Sequence, residues 1–214
     1  MKKPEVINNR YGVPLEHYLS LYRAIDPERR AGELGLPFGG GAFRVTMYGN
    51  EYRVSWPEGT VRSDEPRAVT GDEARIMLLR YLISGMVLPG SGRYMAFPQL
   101  PGAAIYTATY NGRCIRRAAF RFGSDLEGLK RGAERLGGTP VPNSDAGYDF
   151  AFLGSYHVQM LIWEGDDEFP PNAQFLYTDN FAAGFSAEDG VVAAELLITA
   201  LGAAAAPRQE KKAD

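Results

Sequence analysis

"YDFAFLGSYHVQMLIWEG", Tyr148–Gly165, decides the fold class. Aromatic and aliphatic residues alternate with smaller or polar ones on both sides of Gly154-Ser155, the pattern of two half-buried strands joined by a tight turn. "AQFLYTD", Ala173–Asp179, continues the alternation and supplies a third strand. Upstream, "AFRVTMYGNEYRVSWPEG" repeats the device: β-rich runs flank Gly49-Asn50, and the spacing predicts strands near 43–48 and 51–56.

Helical periodicity fills the intervals. Thr70 and Glu73 form a capping-box pattern ahead of "ARIMLLRYLISGM", whose Ile76, Leu79, Ile83 and Met86 mark one face. "SDLEGLKRGAERLGG" has Ser124 as the expected N-cap, Leu126, Leu129, Ala133 and Leu136 on one side, and Gly137-Gly138 as a stop. Ser186 and Asp189 cap a last helix over "VVAAELLITALGAAAA". Near the amino end, "YGVPLEHYLSLYRAID" has helical spacing, and Asp26-Pro27 starts a second short helix. "PGSGRYMAFPQLPG" reads as a structured loop, and "AIYTATYNGRCIRRAAFRFG" as helix in its second half. Strands in two groups separated by helices predict an α+β fold, a single domain with an antiparallel or mixed sheet packed against helices. That domain would span residues 1–205, with 1–36 an amino-terminal helical segment and 206–214 a flexible charged tail.

Composition bounds the function. At 214 residues the chain suits one domain, and 45% hydrophobic with 23% charged residues is the balance of a packed globular protein. A net charge of -3 offers no positive potential for nucleic acid. Cys114 is the single cysteine, which excludes an intrachain disulfide and a cysteine-held metal or iron-sulfur centre. "MKKPEVINNRYGVP" has no apolar run behind its lysines, and the most apolar stretches are broken and shorter than the roughly 20 residues of a membrane span. A cytoplasmic protein without membrane or nucleic-acid partners is expected.

The conspicuous chemical feature is "WEGDDEFPP", where Glu164, Asp166, Asp167 and Glu168 stand between Trp163 and Phe169 at the end of an apolar strand. Contiguous charges usually stay in water. As a site, the loop would bind a small ligand between its aromatics, or hold a divalent cation such as Mg²⁺ or Ca²⁺ through Asp166, Asp167 and Glu168. A hairpin turning at Gly154-Ser155 would add Asp145 opposite Glu164. Carboxylates pressed against rings could also serve acid-base or metal-assisted hydrolysis. His157 lies six residues before Trp163, about 20 Å along an extended strand, too far to join them.

Other constellations are weaker. Arg113, Arg117 and Arg121 recur every fourth residue beside Arg116, a basic stripe suited to solvent or to an anionic partner. "FGGGAF" and "PGSGRYM" complete no nucleotide-binding pattern. Cys114 with His157 is the one conceivable nucleophile-base dyad.

"LIWEGDDEFPPNAQFLYTDNF", "SAEDGVVAAELLITAL", "SGRYMAFPQLPG" and "AAFRFGSDLEGLKRGAERLGG" together resemble the domain of unknown function 3786, a family of prokaryotic proteins drawn mostly from anaerobes. The likeness spans 71–205, and its most specific string is the Trp-Glu-Gly-Asp-x-Glu-Phe-Pro of the acidic loop. The resemblance carries no established activity. Some relatives join an iron-sulfur segment, which implies anaerobic cofactor metabolism as a setting, although Cys114 alone could not hold such a cluster. The function expected is that of a ligand-binding or accessory protein for an unidentified small molecule or protein partner. An enzyme using the acidic loop, or a plain interaction module, are the alternatives.

Overall fold

The computed structural model describes residues 12–206. Two short helices, α1 (Gly12–Arg23) and α2 (Pro27–Leu34), open it. Strands β1 (Phe38–Gly39), β2 (Ala42–Met47), β3 (Asn50–Ser55) and β4 (Val61–Arg62) follow. Helix α3 (Asp72–Ser84) leads to β5 (Tyr94–Ala96). A run of tight turns then enters α4 (Thr107–Tyr110), a π-turn (Asn111–Ile115) and α5 (Arg116–Phe122). Next come α6 (Leu126–Arg135), β6 (Thr139–Pro140), β7 (Ala146–Leu153), β8 (Tyr156–Trp163) and β9 (Asn172–Thr178). The short α7 (Phe181–Gly184) and the long α8 (Ala187–Ala205) complete the chain. The residues predicted as a tail lie almost entirely outside the described range.

The strands form one antiparallel sheet in the order β4-β3-β2-β7-β8-β9-β5, with β1 on β2 and β6 on β7. Alternation sorts its two faces. Phe43, Val45, Tyr52, Val54, Phe150, Phe152, Val158, Met160, Phe175 and Tyr177 are buried toward the helices. Arg44, Thr46, Glu51, Arg53 and Ala151 point to solvent from the other face. The α+β reading therefore holds, with the helices providing one covering layer.

Several local expectations shift by one residue. The first hairpin turns at Tyr48-Gly49, both with positive φ (49° and 71°), and Met47 pairs with Asn50. Tyr48 is buried and its hydroxyl donates to the Ala193 carbonyl at 2.9 Å, so tertiary anchoring fixes a non-glycine residue in a left-handed turn. A Cβ on Gly49 would stand 2.4 Å from the Leu136 carbonyl oxygen. The N-cap of α6 is Asp125, which accepts from the Gly128 amide at 2.8 Å, instead of Ser124. At α3 the cap is Gly71 without a side-chain bond, so the Thr70–Glu73 capping box does not form. That helix buries Met77, Leu78, Leu79, Tyr81 and Leu82, and Met86 lies beyond its end, exposed.

Other expectations hold. Asp26 caps α2 through the Arg29 amide, and Gly35 closes it in the left-handed conformation. The Ser186–Asp189 capping box opens α8. Among the described residues no helix is long and apolar enough to cross a membrane.

Candidate functional site

Helices α1 and α3, the segment around α4 and the first turns of α8 enclose a cleft of about 480 Å³. That volume suits a small organic molecule. Ile76, Met77, Val191 and Val192 supply an apolar wall. Tyr18, Arg80, Tyr106, Arg113, Glu73, Glu188 and Asp189 supply rings and charge.

Two ion pairs tie this cleft to α8. Arg80 on α3 reaches Asp189 Oδ1 at 2.6 Å, and its guanidinium also lies 5.2 Å above the Tyr18 ring. Asp189 is only 2% exposed, and its other oxygen accepts from the Ser186 amide and hydroxyl, both at 2.7 Å. One carboxylate thus starts a helix and holds a guanidinium. Burial lifts the Asp189 carboxyl above its ordinary range, against the pull of Arg80 and the Ser186 bonds. Arg113 engages Glu195 with two nitrogens, Nε to Oε1 at 2.7 Å and Nη2 to Oε2 at 2.6 Å. Burial raises the Glu195 carboxyl as well, with Arg113 opposing.

Arg113 owes its position to the π-turn Asn111–Ile115. The wider turn inserts one extra residue into the α4–α5 helix, a device common at binding sites. Cys114 beside it is buried, with its thiol against the Val191 carbonyl at 3.5 Å. At the mouth of the cleft the Tyr106 hydroxyl donates to Glu188 at 3.3 Å.

A second polar constellation lies on the open face of the sheet. His157 Nδ1 is 2.7 Å from Asp149 Oδ2, and the Tyr94 hydroxyl donates to Asp149 Oδ1 at 2.6 Å. The hydrogen bond to Asp149 raises the His157 pKa from 6.5, outweighing partial burial. Sequence separation of eight residues concealed this pair, because only the hairpin register brings Asp149 and His157 to the same face.

The acidic loop has different surroundings. Glu164, Gly165, Asp166, Asp167, Glu168, Phe169 and Pro170 are all exposed, Phe169 at 67%. Asp166 Oδ1 turns back to accept from the Glu168 and Phe169 amides at 2.9 and 2.7 Å, and those bonds hold its carboxyl below the usual range. Asp145 does reach the loop, accepting from the Glu164 amide at 2.8 Å. Ala146 pairs with Ile162 after an irregularity between Ala151 and Leu153, and the Asp145 amide donates to the Ile162 carbonyl at 3.1 Å, so Asp145 reaches Glu164 through its carboxylate and not as a register partner. Trp163 is half-buried. Among the described residues no group of three or more His, Cys, Asp or Glu side chains is placed to hold a metal ion.

The arginine stripe also acquires partners. Arg113 bonds Glu195, Arg117 bonds the Thr199 hydroxyl at 2.9 Å, and Arg121 bonds the Gly202 carbonyl at 3.3 Å. The periodicity read in the sequence is real, and its target is α8; Arg116 stays exposed. Cys114 sits among the helices whereas His157 lies on the opposite face of the sheet, so the Cys114–His157 dyad does not assemble.

A family model described as Domain of unknown function (DUF3786) matches residues 26–200, most of the chain. The chain belongs to the DUF3786 family. The match begins at the N-cap of α2 and takes in the first hairpin, so the family region reaches further upstream than the 71–205 expected from resemblance. It includes every cleft residue named above except Tyr18. Comparison with curated proteins and with solved structures returns no match.

Proposed function

We propose that the protein binds a small organic amine in the cleft between α1, α3 and α8. The observation that carries this reading is the charge of the cleft's described lining. Arg80 is neutralised by buried Asp189 and Arg113 is paired with Glu195, while Glu188, held by the Tyr106 hydroxyl, adds a further carboxylate. A lining of this kind disfavours a carboxylate or phosphate ligand and favours a cationic one. The Tyr18 and Tyr106 rings suit an ammonium group, and Ile76, Met77, Val191 and Val192 suit an apolar body. Such a role agrees with the ligand-binding or accessory function expected from the sequence, with the site moved from the acidic loop to the helical layer. The single, buried cysteine supports a cytoplasmic setting.

Thermal shift with tyramine, agmatine and cadaverine, each matched by a carboxylic acid of similar size, tests the proposal. Amines should raise the unfolding midpoint, and Glu188→Gln should remove most of that rise. Stabilisation by the acids and not by the amines, or by neither set at millimolar concentration, would overturn it. Acid-base catalysis is a second reading supported by the Tyr94–Asp149–His157 constellation, in which a carboxylate orients the imidazole. Hydrolysis of p-nitrophenyl esters that survives His157→Gln would remove it.

A further inference from the structure

The open face of β2, β3 and β4 bears three arginines in a single cross-strand row. Arg44 is registered opposite Arg53, and Arg53 opposite Arg62. Neighbouring strands are about 4.8 Å apart, so the three stems rise side by side over roughly 10 Å. Like charges directly opposite one another destabilise a sheet. Among the described residues one ion pair offsets this, Arg53 with Asp64 at 2.7 Å, and both side chains are exposed, 53% and 85%. Among the described residues Arg44 and Arg62 make no ion pair or side-chain hydrogen bond.

The row ends at a cavity. Strands β2 and β7 pair only at Met47 and Leu153, and elsewhere the seam between them opens. The opening holds about 260 Å³, lined by Arg44, Thr46, Glu51 and Ala151 from the exposed face and by Leu36 and Pro37 from the segment before β1. Arg44 therefore belongs both to the row and to the cavity wall.

We propose that the row and the seam cavity form a site for a compact ligand carrying two or more phosphoryl groups. Each phosphoryl group brings about -1.5 to -2 charge and three acceptor oxygens, enough to bridge neighbouring guanidinium forks and cancel their repulsion. Arginine serves this better than lysine because its planar donors engage two oxygens at once. The non-phosphate part occupies the cavity, where Thr46 offers a hydroxyl donor. Glu51, registered opposite Thr46 and two residues before Arg53 on the same face of β3, stands beside the row and bounds the phosphate site on that side.

Titration calorimetry of the full chain with inorganic triphosphate tests this. Binding should persist when ionic strength is matched with sodium chloride, and citrate should bind at least tenfold more weakly. The double variant Arg53→Thr with Arg62→Thr should lose at least tenfold in affinity while its unliganded midpoint stays equal or rises, since the residues are exposed and mutually repelling. Triphosphate heats no larger than the salt control, or equal affinity in the double variant, would overturn the site. Tight binding of a single-stranded oligonucleotide with no binding of triphosphate would also overturn it, because that outcome assigns the row to an extended polymer.

Discussion

Asp189 at the start of α8 accepts from the amide three residues before it, and Asp166 in the β8–β9 turn from the amides two and three residues after it, and the two meet opposite environments. Asp189 is sealed beneath α3 and faces a guanidinium at 2.6 Å, whereas Asp166 stands in water with Oδ1 turned onto its own loop. One carboxyl is raised by burial and the other lowered by backbone bonds. Each carboxylate bonds a nearby amide, so that bond alone says nothing of role. What separates them is whether a distant segment arrives to cover the charge.

The largest expected effect concerns the helical side of this comparison. Burial raises the Cys114 thiol from 9.0 to about 12. Its thiolate fraction near neutral pH falls about a thousandfold, and iodoacetamide should label it only on unfolding. Rapid labelling of the native protein would mean that the layer around the cleft is open. Next, Asp189→Ala should cost about 3 kcal/mol in urea unfolding, since it strands Arg80 and removes the N3 half of the α8 capping box together. An equal loss from Asp167→Ala with Glu168→Ala would erase the contrast between the two regions.

A smaller effect belongs to the sheet face. The folded pKa of His157 is raised above its unfolded value, so its pairing with Asp149 contributes fully below about pH 6.5 and is lost as pH rises through the folded value. The pair is partly exposed, so the change between pH 6 and 8 should be a few tenths of a kcal/mol up to about 1 kcal/mol. His157→Asn should flatten that part of the pH-stability profile. The smallest effect is expected in the acidic loop, where Asp167→Asn with Glu168→Gln should leave the unfolding midpoint unchanged.

The hairpins, the last helix and its cap were legible because each depends on neighbours in sequence: alternation around Gly154-Ser155, and Ser186 three residues before Asp189. The acidic loop drew notice for the same reason, its charges being contiguous. The cleft was not legible, since Tyr18, Arg80, Tyr106, Arg113 and Glu188 come from separate segments that only packing unites. Likewise the cap role of Asp189 could be read locally, but its pairing with Arg80 could not. The π-turn leaves no periodic signature in "TYNGRCIRR", and the irregularity between Ala151 and Leu153 moves the register so that Ala146 meets Ile162.

Because one carboxylate both nucleates α8 and grips Arg80, positions 80, 186 and 189 form a single heritable unit. A lineage that remodels the cleft for another ligand by replacing Arg80 inherits a stranded buried carboxylate, one that cannot be removed without also giving up half of the α8 capping box.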